Sequence, residues 1–382
     1  MTHVLKVTTW HPYIDEIAGI FVLDQAAALQ SAGADVGMIF SRIEGLRSFT
    51  LRRMMRGVPG VVHLDHPVPT IGFKTWALPN SLAWTPAVHM AALQRLHDAY
   101  LRSRGTPDIL HGHVALEGGR VARELSRRTR IPYVITEHSS EILRGELTPQ
   151  RIELARRIYR DAQHVIAVSD PLATRIRAIC PSANVRVIGN LVRDFVFEAR
   201  RPRRDDDSRL TVVTISSLGP GKRVHQAIQA LARLPASLKA RLTHVIIGEG
   251  RERARLEVVA ERAGFPVEFR GNLPHHEAMS VLARADLLLH PSALETFGIV
   301  LVEALALGLP VVATRCGGPE GFLGDETGAL VPPDDVDALA MATQALLLDI
   351  DRWRAKSEQL SAYAAQHFGQ TSVARAIMET YT

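Results

Sequence analysis

Short apolar runs of strand length alternate with helical runs along this chain, and that alternation limits its fold more than any other feature. VLKVTTW at 4–10 reads as a strand. A turn with Gly19 then opens the helical run FVLDQAAALQSAG, whose predicted buried face is Phe21, Leu23, Ala27, Ala28 and Leu29. DVGMIF at 35–40 is the next strand. Strand, helix and strand in that order make a βαβ unit, which predicts a parallel sheet. PDILHGH, PYVITEHSS, HVIAVSD, a helix over about 171–179 and NVRVIGN continue the series to residue 190. The charged segment 198–209, EARRPRRDDDSR, reads as a linker between domains. The alternation then restarts with LTVVTISSL, IIGEG, VEFRGNL, LLLHPS and PVVATRC, separated by marked helices such as RERARLEVVAERAG. Residues 335–382 read as two or three helices. A chain of 382 residues, 46% of them hydrophobic, is long enough for two domains with their own cores.

Composition removes several function classes. Two cysteines, Cys180 and Cys316, supply neither a disulfide framework nor a metal quartet, and they suit a reducing cytoplasm. The opening MTHVLKVTTW reads as a first strand rather than a leader. The longest weakly charged run, near 298–314, is broken by Glu303 and Pro310, so no bilayer-spanning segment is expected. The section 42–106 is irregular in pattern. His63, Asp65 and His66 within it do not have the spacing of common zinc sites. Residues 1–190 hold 23 Lys and Arg against 16 Asp and Glu, whereas residues 191–382 hold 22 against 24. The basic half suits an anionic surface or substrate, or simply a solvated arginine-rich face. Arg52, Arg53 and Arg56, interleaved with Leu51, Met54 and Met55, are the candidate for weak contact with an anionic membrane surface. Nucleic acid is not an expected partner.

Chemistry concentrates at strand ends. LLLHPS has the length of a buried parallel strand, and a loop carrying Glu295 follows it. Gly298 permits a tight turn into a helix, and Glu303 sits one turn inside. The free amides of a helix N-terminus favour an anion such as phosphate. The two carboxylates, eight positions apart, can accept hydrogen bonds from the hydroxyls of a sugar or ribose. A second loop, Gly219-Pro-Gly-Lys222-Arg223, puts glycines and cations at the end of another strand. That suits a phosphate cradle but lacks the full P-loop pattern. In the first half, two neighbouring strands end in His111 with His113, and in Glu137 with His138, while Glu117-Gly118-Gly119 opens a helix. Ligands in open α/β sheets bind beyond the carboxyl ends of strands, so these groups point at one crevice.

The two glutamates, the GLPVVAT that follows, Gly317-Gly318-Pro319-Glu320, IIGEGRERARLE at 246–257 and ETGALVPPDDVDALA at 326–340 carry a resemblance. Together they resemble the retaining glycosyltransferases of the GT-B fold, family 4. The likeness covers nearly all of the C-terminal half and, more weakly, the N-terminal half. It implies an α/β protein of two Rossmann-like, doubly wound domains facing across a cleft. An acceptor-binding domain would span 1–195 and a nucleotide-sugar-binding domain 196–365, with a helix at 366–382 crossing back to the first. Within that resemblance Glu303 binds ribose hydroxyls and Glu295 the donor sugar. Lys222 and the extra cation Arg223 meet the diphosphate, with backbone amides around Phe297, Gly298 and Ile299. Asn272 and Leu273 border the base, and Gly19 lies near the diphosphate. His113 faces the donor sugar. His138, Glu137 and Glu117 lie on the acceptor side, and Asn190 near the domain junction. The family usually has an arginine five residues before the lysine, where this chain has Ser217.

The implied reaction moves a sugar from a UDP- or GDP-sugar with retention and without a metal or other cofactor. The acceptor is either a small natural-product precursor or a lipid-linked or polysaccharide intermediate. The implied location is cytoplasmic, including the inner membrane face. The rival readings are a nucleotide-sugar epimerase of the same fold and a non-catalytic nucleotide-sugar-binding subunit, the latter hinted at by Ser217. Asp349-Ile-Asp351 has the spacing of the metal-binding pair of the other large glycosyltransferase fold, but it lies between helical runs, far from any strand end.

Overall fold

The computed structural model describes residues 1–11, 19–45, 60–65, 67–77, 85–199 and 208–382. The chain divides into two compact units, Met1–Leu191 with Val373–Thr382, and Val192–Ser372. The patch around Arg52, Arg53 and Arg56, His66, and residues 200–207 of the linker lie outside the described residues.

The first unit is built on strands β1 His3–Thr8, β2 Asp35–Gly45, β3 Gly60–Leu64, β4 Thr70–Ala77, β5 Ile109–His113, β6 Tyr133–Glu137, β7 His164–Ala167 and β8 Val185–Val187. They form one sheet in the order β3-β4-β2-β1-β5-β6-β7-β8. Only the β3–β4 pair is antiparallel. β5 and β6 are buried along their whole length, as central parallel strands covered on both faces must be. The strand order reverses between β1 and β5.

The helix Ile20–Ser31 buries Val22, Gln25, Ala26, Ala28 and Leu29. The expected face of Phe21, Leu23 and Ala27 is therefore partly wrong, because these three are only half-buried. The helix starts at Gly19 in the left-handed conformation, and its 22-26-29 stripe faces the core. Phe21 and Leu23 still pack against the edge of the core, and Phe21 also meets Trp10 and His138, with ring centroids 6.0 and 4.4 Å away. The irregular-looking section 42–106 holds β3, β4 and a helix over Thr85–Arg104. Lys74 and Gly72 inside β4 obscure its apolar pattern.

The second unit carries β9 Leu210–Ile215, β10 Leu242–Ile247, β11 Val267–Phe269, β12 Leu287–His290, β13 Val311–Thr314 and β14 Gly328–Val331. Their order is β11-β10-β9-β12-β13-β14, all parallel. Counted from the first strand of the unit this is 3-2-1-4-5-6, the doubly wound Rossmann order. Four helices rather than two or three fill the last stretch: Val336–Leu348, Ile350–Ala355, Ser357–Phe368 and Gln370–Met378. Asp349 and Asp351 pair with Arg352 and Arg354 on the helix surface. The second unit starts at Val192 because its amide bonds to Phe368. Val373, Ala374 and Ile377 of the last helix join Val4, Val36 and Ile109 in the core of the first unit. Among the described residues no helix is long and apolar enough to cross a membrane.

Gly298 has φ +89, and a Cβ there would lie 2.6 Å from Leu301 Cδ1. Gly298→Ala is expected to destabilise the second unit by about 1–3 kcal/mol. Urea denaturation followed by circular dichroism checks this, and an unchanged midpoint would show that the turn relaxes freely.

Candidate active site

In the second unit the strand order reverses between β9 and β12, the point where doubly wound sheets receive ligands. The loops that follow these strands carry Lys222 and Glu295. They are tied by the Ala293 amide donating to the Gly221 carbonyl at 2.9 Å. Lys222 Nζ meets Glu295 Oε1 at 2.6 Å, and His290 Nε2 meets the same oxygen at 2.8 Å. The Glu295 backbone is fixed from the loop after β13, accepting from Gly318 and donating to Cys316. Burial pushes the Glu295 carboxyl up, but His290 and Lys222 outweigh it and hold the carboxyl at about 2. Among the described residues Glu295 Oε2 has no partner.

Glu303 is arranged in the same way. It is buried on the helix Ile299–Ala306, and its Oε1 meets His275 Nε2 at 2.7 Å. The His275 ring stands edge-on to Phe195. Glu303 Oε2 likewise has no partner among the described residues. The ring of Phe297 packs against Phe322 and Phe368, so this residue can offer a ligand only its backbone. The amides of Phe297 and Gly298 donate to no backbone carbonyl among the described residues. Ile299 begins the helix. Asn272 is exposed and Leu273 half-buried in the loop after β11.

Arg223 differs from expectation. Its Nε donates to Asp334 at 3.0 Å and its Nη1 to the Pro220 carbonyl at 3.3 Å. Gln226 donates to the same Asp334 carboxylate. The guanidinium thus braces its own loop against the segment after β14 instead of standing free for a diphosphate. The charge missing at Ser217 is not replaced by Arg223 in this arrangement.

In the first unit the reversal lies between β1 and β5. Lys6 of β1 is fully buried, with Nζ bonded to Gln25 Oε1 and 3.1 Å from His113 Nε2. His113 Nδ1 lies 3.4 Å from His138 Nε2. The rings of His111, His113 and His138 stack in series, with centroids 4.8 and 5.6 Å apart. His111 bonds to Tyr381 and Thr136. Both ring nitrogens of His113 are therefore engaged inside the protein, whereas the resemblance had this ring facing a sugar. His138 is the outer member, and its Nδ1 has no partner among the described residues. Burial drives the Lys6 ammonium well below its ordinary value. It also lowers His111 and His113, aided by the nearby Lys6 charge, and takes His138 to about 3. The turn after His113 is strained: Val114, a β-branched residue, has φ +60 and opens a π-helical turn over Val114–Gly119. Such strain concentrates at functional sites.

Glu137 also departs from its expected acceptor-side role. Fully buried, it accepts from the amides of Ala115, His138 and Ser139 and from the Tyr159 hydroxyl. It clamps the turns after β5 and β6. Glu117 accepts from the indole Nε1 of Trp10 at 2.6 Å and from the Thr9 hydroxyl. Gly19 has φ +86 and approaches the backbone of Trp10, where a Cβ would sit 2.7 Å from the carbonyl carbon. Lys6, Gln25, His275, His290 and Asp334 were not singled out from sequence. The one local signal among them is a lysine inside the apolar run VLKVT. Among the described residues no group of His, Cys, Asp and Glu is placed to hold a metal ion.

His138 titrates near 3 when folded and near 6.5 when unfolded, so the unfolded chain takes up the proton first. Stability is expected to fall as pH drops from about 6.5 toward 3. Thermal midpoints measured across that range check this, and His138→Gln should flatten part of the slope.

Comparison with known proteins fits this geometry. The model described as "Glycosyl transferases group 1" matches residues 196–367, and "Glycosyl transferase 4-like domain" matches residues 18–190. The chain is 30% identical over 320 residues to the glycogen synthase of Mycobacterium tuberculosis, covering 79% of this chain and 76% of that one. It is 30% identical to a D-inositol 3-phosphate glycosyltransferase of Corynebacterium urealyticum, over 74% of this chain and 73% of the other. Sucrose-phosphate synthase from Thermosynechococcus elongatus superposes with a TM-score of 0.80 at 22% identity, covering 99% and 97% of the two chains. Anabaena HepE in complex with UDP gives 0.74 at 22% identity, covering 100% and 99%. These last two show the fold, GT-B. The chain belongs to the group 1 glycosyltransferases of family 4, and it is a glycosyltransferase.

Proposed function

We propose that the protein transfers a sugar, with retention and without a metal, from a UDP- or GDP-sugar to the hydroxyl of a small-molecule, lipid-linked or polysaccharide acceptor. The observation that carries the reading is the pair of acids in the second unit, each held by one oxygen and each keeping the other oxygen open. Glu295 Oε2 takes a hydroxyl of the donor sugar, and Glu303 Oε2 takes the ribose. Lys222 and the amides of Phe297 and Gly298 stabilise the charge that develops on the leaving diphosphate. The solved HepE structures hold UDP, UDP with glucose, or UDP-glucose, which supports a nucleotide-sugar donor.

The acceptor attacks the face the nucleotide leaves, and the departing phosphate takes its proton. A double displacement through Glu295 is disfavoured. Retaining glycosidases work with two carboxylates about 5–5.5 Å apart, and here the other acid, Glu303, is bonded to His275. Glu295→Ala and Lys222→Ala are each expected to lower transfer by ~100-fold or more. Near-normal turnover in both would overturn the assignment. Thermal melting against a panel of nucleotide sugars identifies the donor, since a ligand at 100 times its dissociation constant adds about 2.7 kcal/mol. Donor consumed without any acceptor would instead indicate an epimerase.

A further inference from the structure

Trp10 and Glu117 lie on the two loops that flank the reversal of strand order in the first sheet, after β1 and after β5. That position is the counterpart of the Lys222–Glu295 position in the second sheet, and it is where such sheets receive ligands. Trp10 is 37% exposed and is the one aromatic among the exposed large apolar side chains of the described residues. It is nevertheless held in place. Its amide donates to Thr8 Oγ1 at 2.9 Å, its indole Nε1 donates to Glu117 at 2.6 Å, and Phe21 packs beside it. The polar edge of the indole is satisfied, so the surface it shows to solvent is apolar. Fixing an indole while leaving it uncovered gives up burial that a core position would supply.

Glu117 provides the second half of the arrangement. Its Oε2 accepts both Trp10 and Thr9, while Oε1 has no partner among the described residues. An open carboxylate oxygen at the rim of a fixed aromatic face matches a sugar. The C–H groups of a saturated ring carry partial positive charge and rest against the negative π face, while rim hydroxyls donate to the carboxylate. Phe21, 4.4 Å from His138, links this face to the outer histidine of the stack.

We propose that Trp10 and Glu117 form the acceptor platform. The acceptor then presents a saturated polyhydroxylated ring, a pyranoside or a cyclitol, and not an open-chain hydroxy compound. The inference rests on the transferase reading, which supplies the acceptor.

The test replaces the four tryptophans with 5-fluorotryptophan, assigns the Trp10 19F resonance by its loss in Trp10→Phe, and titrates four probes. Methyl α-D-glucopyranoside and myo-inositol are the ring probes, and glycerol and malate the open-chain controls. A saturable shift of the Trp10 resonance with a ring probe alone, weakened about tenfold in Glu117→Gln, is the expected result. The stronger of the two ring probes identifies the class. No shift with either ring probe up to its solubility limit, or an equal shift with glycerol, overturns the platform. Melting of the same samples with nucleotide sugars separates the two failures. Stabilisation by a nucleotide sugar without a Trp10 response sinks the platform alone, whereas no stabilisation by any nucleotide sugar sinks the transferase reading.

Discussion

The contact between Lys222 and Glu295 organises the second unit. Ion pairs of this kind contribute little to stability once the loss of hydration is counted. Stability therefore does not account for two charged loops being brought together at 2.6 Å. Function does. The pair keeps a cation and an anion side by side at the reversal of strand order, and in the proposed reading each takes a complementary group of one ligand. His290 loads the same oxygen of Glu295 and so fixes which oxygen remains open. Arg223 and Asp334 tie the lysine loop to the segment after β14.

The first sheet follows the same rule with different chemistry. Its reversal point carries a buried lysine, three stacked histidines and a clamped, buried glutamate. Burial pushes the Lys6 ammonium well below its ordinary value, and no carboxylate among the described residues bonds to it. In the proposed reading, fixed charge serves the diphosphate of the donor, and hydrogen-bonding groups with an apolar face serve the ring of the acceptor.

Much of this was legible in the sequence. The parallel sheets follow from the strand and helix alternation, and Glu295, Gly298 and Lys222 are marked by their positions in loops after strands, with Glu303 one turn into the helix that follows. What stayed hidden depends on partners far apart in the chain. Lys6 meets His113, and Arg223 meets Asp334, across more than a hundred residues, so no local pattern announces either contact. Arg223 looked like a spare phosphate ligand because its carboxylate partner belongs to another loop. Glu137 looked available because a strand-end acid is usually exposed, yet four internal donors hold it. The buried face of the helix at Ile20–Ser31 is legible at Ala28 and Leu29 but not at Val22 and Ala26, because its apolar residues cover most of its circumference.

A crystal structure with the nucleotide sugar that raises the melting temperature most tests the central claim directly. The account predicts the diphosphate against Lys222 and the amides of Phe297 and Gly298, a sugar hydroxyl on Glu295 Oε2 and the ribose on Glu303 Oε2. A complex in which the diphosphate lies away from Lys222, with either acid turned from the ligand, would contradict it.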